Sequence, residues 1–223
     1  MPKRTGRLIT LMTSMVCLIL TPSIPAARVV DDPPKFSQPE LREELAQMVK
    51  LDQAARFKMI EAMRNKGSSS LDAMKPILKE LQEIDQKHTK RMKAIVEKYG
   101  WPTKSMVGTD GAQNAWLLVQ HADHDRPFQN KCLELMKPLV ATGEVSKNNF
   151  AYLTDRVLVG AGKPQRYGTQ LHTVNNELVP QTMEEPDKVD ERRKEMGMEP
   201  LAKYLEFARK MQKGAPADKN DDK

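Results

Sequence analysis

From Leu41 onward apolar residues return at alternating steps of four and three: Leu41, Leu45, Met48, Ala55, Met59 and Ala62, with Asp52 at one position of the same series. A second series starts at Leu71 and runs through Met74, Leu78, Leu81, Asp85, His88, Met92, Ile95 and Tyr99 with the same steps. This period places one stripe along one face of an α-helix, so both segments are predicted as long amphipathic helices. The stretch Asn65 to Ser70 is rich in Gly and Ser and joins them. A short polar connection between two such helices predicts an antiparallel hairpin over 39–100.

Shorter elements follow. Gly100 suits the C′ position that ends the second helix, and Trp101-Pro102 turns the chain. Thr109 and Asp110 are suited to cap a third helix running to about Ala122. Pro127 fits the first turn of a fourth, striped by Phe128, Cys132, Leu135 and Leu139. Ser146 caps a fifth, which carries Phe150, Leu153 and Val157 and ends at Gly160 and Gly162. The helical period then lapses. Gln165 to Val174 and Glu177 to Thr182 flank Asn175-Asn176, a pair that tolerates positive φ, so a β-hairpin is predicted near 165–182, with Pro180 confining its second arm to an edge. Pro186 and Pro200 open two closing helices, the last striped by Leu201, Leu205, Ala208 and Met211. The fold class is mainly α: a long antiparallel helical hairpin plus a smaller helical bundle with a short β-hairpin. One helical domain is expected over 39–212, with a linker over 28–38 and a disordered tail over 213–223.

Residues 1–27 change what the composition means. Lys3, Arg4 and Arg7 precede the apolar run Leu8 to Leu20, and Pro22 and Pro25 come before Ala26-Ala27. This is the layout of a cleaved secretory signal, and a run of 13 residues is too short to span a bilayer, which takes about 20. The expected location is secreted or periplasmic, with no stable membrane insertion after cleavage. Removing Lys3, Arg4 and Arg7 from the 36 basic residues leaves 33 against 30 acidic ones, so the formal net charge falls from +6 to +3. With no surviving block of like charge, nucleic acid is not an expected partner. Of the two cysteines only Cys132 lies outside the signal, so no intramolecular disulfide is available. Its phase with Phe128 and Leu135 makes it a packed residue.

Candidate chemistry lies where polar residues interrupt the apolar stripes. Asp52 takes an inward position of the first helix, Asp85 and His88 take two of the second, and a hairpin bent near residue 68 sets all three at nearly one height. Arg56, one turn from Asp52, reaches the same zone. Buried charge requires partners or a ligand, so this layer is either a binding or catalytic site or a polar layer that fixes the register of the hairpin. A second constellation is Gln120-His121-Ala122-Asp123-His124-Asp125 at the end of the third helix. A neutral imidazole near pH 7 is a general base, and a carboxylate beside it orients it. His121, His124 and Asp125 also offer a metal alternative, though no third ligand stands at a recognised spacing. A third set is Asp155-Arg156 with Gln165, Tyr167 and Gln170, which are able to hold an anionic or polar ligand. Gly160-Ala161-Gly162 has neither the strand nor the helix of a phosphate-cradling loop, and no cofactor is implied.

These residues fall into blocks: Asp52-Gln53 with Arg56, Tyr99-Gly100-Trp101-Pro102-Thr103, Gln120-His121-Ala122-Asp123 with Gln129, Leu153-Thr154-Asp155-Arg156-Val157, Gly162 to Gln165, Tyr167-Gly168-Thr169-Gln170, and Val189-Asp190-x-Arg192-Arg193. In their order and spacing the chain resembles a bacterial family of domains of unknown function over Leu41 to Tyr204. The resemblance implies no activity, but it marks Asp52, Gln53, Arg56, His121, Asp123, Asp155, Arg156, Gln165, Tyr167 and Gln170 as the shared polar set. The functional expectation is a hydrolase- or lyase-type site for a small polar or anionic metabolite. In it His121 is general acid or base, Asp123 or Asp52 assists, and Arg56 or Arg156 stabilises negative charge. Gln53, Gln120, Asp155, Gln165, Tyr167 and Gln170 contact the ligand. The alternative is a helical module that binds a ligand or a protein partner without turnover.

Overall fold

The computed structural model describes residues 36–64, 71–175 and 177–212. The signal segment, most of the linker, the Asn65–Ser70 connection, Asn176 and the tail lie outside the described residues. The chain divides into two compact units, one ending at Phe150 and the other beginning at Ala151.

The N-terminal unit is built on α1 (Pro39–Arg64) and α2 (Leu71–Tyr99), which pack on each other. Ion pairs Lys58–Glu80 at 2.9 Å and Arg91–Glu44 at 2.5 Å join early residues of one helix to late residues of the other, so the pair is antiparallel, as predicted. Every position of the α1 stripe is buried, Asp52 included, and Leu45, Met92 and Ile95 are completely enclosed. α3 (Lys104–Gln120) packs on both helices through residues such as Val107, Ala115 and Val119.

The helical segment of α3 starts five residues before the predicted Thr109 and breaks at Gly108, whose φ of 78° a side chain would resist. A Cβ there would also lie 2.8 Å from the Phe36 ring. The main run of α3 therefore begins after Gly108, near the predicted position, preceded by an extra turn. Asp110 pairs with Arg42 at 2.8 Å.

α4 (Arg126–Val140) has Pro127 in its first turn, and the Asp125 carboxylate accepts from the Phe128 N–H at 3.1 Å as its cap. Its stripe is rotated from the prediction: Leu133 and Met136 are buried, while Leu135 and Leu139 are half-buried. The apolar face is broad enough that the spacing alone did not fix its centre. α5 (Lys147–Gly160) starts with the Asn149 N–H donating to the Ser146 hydroxyl at 3.4 Å.

The C-terminal unit holds a two-stranded antiparallel hairpin, β1 (Leu171–Val174) with β2 (Glu177–Pro180), paired from Leu171–Pro180 to Val174–Glu177. Asn175 takes φ 49° at the turn, as its type allows. The first arm is shorter than predicted, because Gln165 to Gln170 forms a loop. A 3₁₀ turn (Pro186–Lys188) leads into α6 (Val189–Glu195), and α7 (Leu201–Gln212) sets Tyr204 and Ala208 against Leu171 and Leu178. Among the described residues no helix is long and apolar enough to cross a membrane.

Candidate functional site

The polar interruptions of α1 and α2 meet the end of α3. Arg56 donates from Nη2 to Asp52 Oδ1 at 3.1 Å and to Asp85 Oδ1 at 2.6 Å. Its Nε lies 3.2 Å from both oxygens of Asp52. His121 Nδ1 lies 3.0 Å from Asp52 Oδ1, and Gln53 Nε2 donates to Asp52 Oδ2 at 2.8 Å. Asp52, Arg56 and His121 are 1%, 6% and 5% exposed, so the pairing takes place almost without solvent; Asp85, with its side chain 18% exposed, is the member nearest the surface.

His121 is placed by the helix that ends on it. It is the C-cap of α3, and its N–H bonds the Leu117 carbonyl at 3.1 Å. Gln129, fully enclosed on α4, donates from Nε2 to the Val119 and Gln120 carbonyls and to Asp123, each at 3.1 Å. One amide thus holds the last turn of α3, and with it the imidazole, in position.

The protonation pattern follows from geometry. Arg56 Nε is 3.0 Å from His121 Nδ1, so Nδ1 has two neighbours and serves either as acceptor from Arg56 or as donor to Asp52. Burial pushes the Asp52 carboxyl up, but attraction to and hydrogen bonds with His121 and Arg56 outweigh it and hold the group well below the usual carboxylate range. In one tautomer Nδ1 accepts the Arg56 Nε–H; in the other, on which acid–base chemistry at this residue depends, Nδ1–H donates to Oδ1 of the ionised Asp52 and the Arg56 Nε–H goes to the carboxylate. Nε2 then carries the imidazole lone pair. With a neutral imidazole the two carboxylates and one guanidinium sum to −1, and a proton accepted at His121 brings the buried set to neutrality.

Other predicted residues of this unit take different places. Asp123 pairs with Arg126 at 3.1 Å and with Gln129, so Asp52 is the carboxylate on the imidazole. His124 is exposed, and Asp125 caps α4 while pairing with Lys93. His121, His124 and Asp125 are therefore not assembled as a ligand set. Among the described residues no group of three metal-binding side chains occurs.

Gln120 is completely buried, yet neither atom of its carboxamide has a hydrogen-bond partner among the described residues. His88 Nδ1 and Thr89 Oγ1, both buried on α2, share this state. His88 lies within the field of Asp52 and Arg56, and burial above all keeps its imidazole below the ordinary histidine range.

The third predicted set assembles in the C-terminal unit around Asp155, which is fully enclosed. Its carboxylate accepts the N–H groups of Arg166 at 2.7 Å, Tyr167 at 3.0 Å and Thr169 at 2.9 Å, and the Thr169 hydroxyl at 2.9 Å. Burial still pushes the carboxyl up against these donors. The carbonyl side of the loop is held by arginines: Arg193 Nη1 on Tyr167 O at 2.6 Å and Arg192 Nε on Arg166 O at 2.7 Å. Gln165 donates to the Gln170 and Gln181 carbonyls at 2.9 Å and accepts the Gln170 N–H at 2.8 Å. Arg156 Nη1 reaches Gln170 Oε1 at 3.4 Å. Asp155 and Gln165 thus bind the chain's own backbone, and Arg156 and Gln170 bond to neighbouring side chains.

Gly168, at φ 71°, turns this loop, and it is the Leu201 side chain that crowds it, 2.8 Å from where a Cβ would stand. Arg192, Arg193, Thr169 and Gln129 also hold these clusters together, although spacing does not single them out as site residues. Their signal was polar side chains inside otherwise apolar surroundings, which becomes specific only when their carbonyl partners are known.

Neither a curated protein nor a solved structure matches this chain. A family model does match, over residues 39–213, which takes in both units and every residue of the Asp52 and Asp155 clusters. The chain belongs to the Family of unknown function (DUF6624).

Proposed function

We propose that this is an exported protein whose Asp52–His121 pair is a general acid–base centre for hydrolysis of, or elimination from, a small polar molecule. The observation that carries the reading is the 3.0 Å contact of His121 Nδ1 with a carboxylate that His121 and Arg56 together keep ionised, which directs the basic lone pair to Nε2. Arg56 acts on Asp52 rather than on substrate, because its Nε and Nη2 already face two carboxylates. The net −1 of the resting cluster favours a neutral polar substrate over an anionic one. Gln53 supports the Asp52 oxygen that faces away from the imidazole.

Export rests on the residue pattern of 1–27, with cleavage near Ala26-Ala27, and N-terminal sequencing of the protein from its native host tests it. The blocks around Asp52, His121 and Asp155 are taken as the polar set shared by a bacterial family.

The test is turnover of a panel of carboxyl esters, phosphodiesters and β-elimination substrates at neutral pH. His121→Gln is expected to lower the rate by about 10²-fold or more, and Asp52→Asn to lower it with a changed pH profile. Undiminished turnover in His121→Gln overturns the reading. A second reading, ligand binding without turnover, is favoured by the unfilled hydrogen-bonding capacity of Gln120 and His88. Retention of a small molecule by the native protein, with no product after long incubation, would select it.

A further inference from the structure

The N-terminal unit carries a recess apart from the Asp52 cluster. It lies between the start of α3, the middle of α4 and the turn into α5, and it encloses about 200 Å³. Its floor is apolar and buried: Trp101, Trp116, Met136 and Val145. The chain has two tryptophans, and both are in this floor. The rim is polar and partly open to solvent, with Lys104, Gln113, Glu144 and Asn149.

The charges of the rim are not equivalent. The Glu144 carboxylate accepts the Ser105 N–H at 2.9 Å at the start of α3, and that bond, assisted by the Lys104 charge, holds it below the usual range. Among the described residues Lys104 forms no ion pair within 4.0 Å, and its charge acts on Glu144 only at a distance, so the rim presents one ammonium beside a carboxylate already held by the Ser105 N–H. Asn149 Nδ2 donates to Gln113 Oε1 at 2.6 Å. That bond leaves the Gln113 amide N–H₂ as a donor and Asn149 Oδ1 as an acceptor.

Indole walls receive planar rings by stacked or edge-on contact, and a polar rim of this kind fixes orientation. The volume admits one ring with a short substituent and is below the roughly 300–1,000 Å³ of drug-sized pockets. We infer that this recess is a binding site for a small aromatic carboxylate, its ring on the Trp101–Trp116 floor and its charge at Lys104.

Because no tryptophan lies elsewhere in the chain, intrinsic indole emission reports this site alone. Benzoate, benzamide and benzylamine are titrated into the full chain, with saturation-transfer NMR as a second readout. Benzoate is expected to change the emission saturably and to bind more tightly than benzamide, with benzylamine weakest. Lys104→Met, a change at a half-buried rim position, is expected to weaken benzoate about fivefold or more while leaving benzamide within about twofold. Ala112→Leu, which adds bulk to a lining position, is expected to abolish both, with circular dichroism checking that the helices persist. No saturable response to any of the three probes overturns the inference, and so does benzoate affinity that Lys104→Met leaves unchanged.

Discussion

Arg56 stands between two carboxylates beside the apolar stripe that Asp52 interrupts, and its removal would leave Asp52 and Asp85 facing each other with little solvent. Breaking a buried ion pair by deleting one partner costs about 3–5 kcal/mol, because the remaining charge is neither hydrated nor matched. Arg56→Met is therefore expected to lower the unfolding free energy by about that amount in urea titrations. Replacing the whole ionic set, with Asp52→Leu and Asp85→Leu added to Arg56→Met, is expected to recover most of the loss, since apolar residues of similar volume satisfy such a position as well as ions do. An Arg56→Met variant as stable as the wild type would mean that the carboxylates find other partners. The comparison also separates roles: stability returns in the triple variant, whereas chemistry at His121, which needs Asp52, does not.

The loop Gln165–Gln170 is an element without a ladder of its own, shaped by side chains from α5 and α6. Asp155→Ala withdraws one acceptor from three backbone N–H groups at once, two of them fully inside the unit, and each orphaned donor costs about 1–3 kcal/mol. The expected outcome is a loss of several kcal/mol, with amide exchange accelerated first at Arg166, Tyr167 and Thr169; unchanged protection there would show that the carboxylate is not what holds the loop. This element also marks where the sequence stops being informative. The α1 and α2 stripes were legible because a helix repeats its own geometry, so burial of Leu41 through Ala62 follows from spacing alone. The meeting of Asp52 with His121 was legible only as proximity, since the stripe gave the height of Asp52 but not the direction of α3. The sequence of the loop reads as strand because its backbone partners are Asp155, Arg192 and Arg193, contacts set by tertiary position that leave no period in the sequence. The same tertiary pairing turned predicted ligand contacts at Gln165 and Gln170 into internal braces.

For the molecule as a whole, the buried titratable groups of the N-terminal unit set how stability responds to acid. His88 is kept below the ordinary histidine range by burial, with Lys87 and Arg56 adding to that and Asp52 opposing it. As pH falls through about 6.5 the unfolded chain gains a proton at this position before the folded chain does. Folding then binds fewer protons than unfolding, so stability declines, at a slope no steeper than the one-proton limit of about 1.4 kcal/mol per pH unit. Asp52 acts in a separate window. Its folded carboxyl lies well below the unfolded value near 3.9, so the stability it contributes is complete above that value and is lost as pH falls beneath it. Urea midpoints measured from pH 7.5 to 3 are therefore expected to fall in two stages. His88→Met, which fits an inward position between Leu81 and Met92, should flatten the stage between about pH 7 and 5 and leave the steeper acid stage in place, whereas Asp52→Asn should flatten the acid stage and, by removing the charge that opposes the lowering of His88, deepen the first. If His88→Met leaves the first stage unchanged, the proton responsible for it belongs to another group, and His88 is already exposed to water in the folded protein.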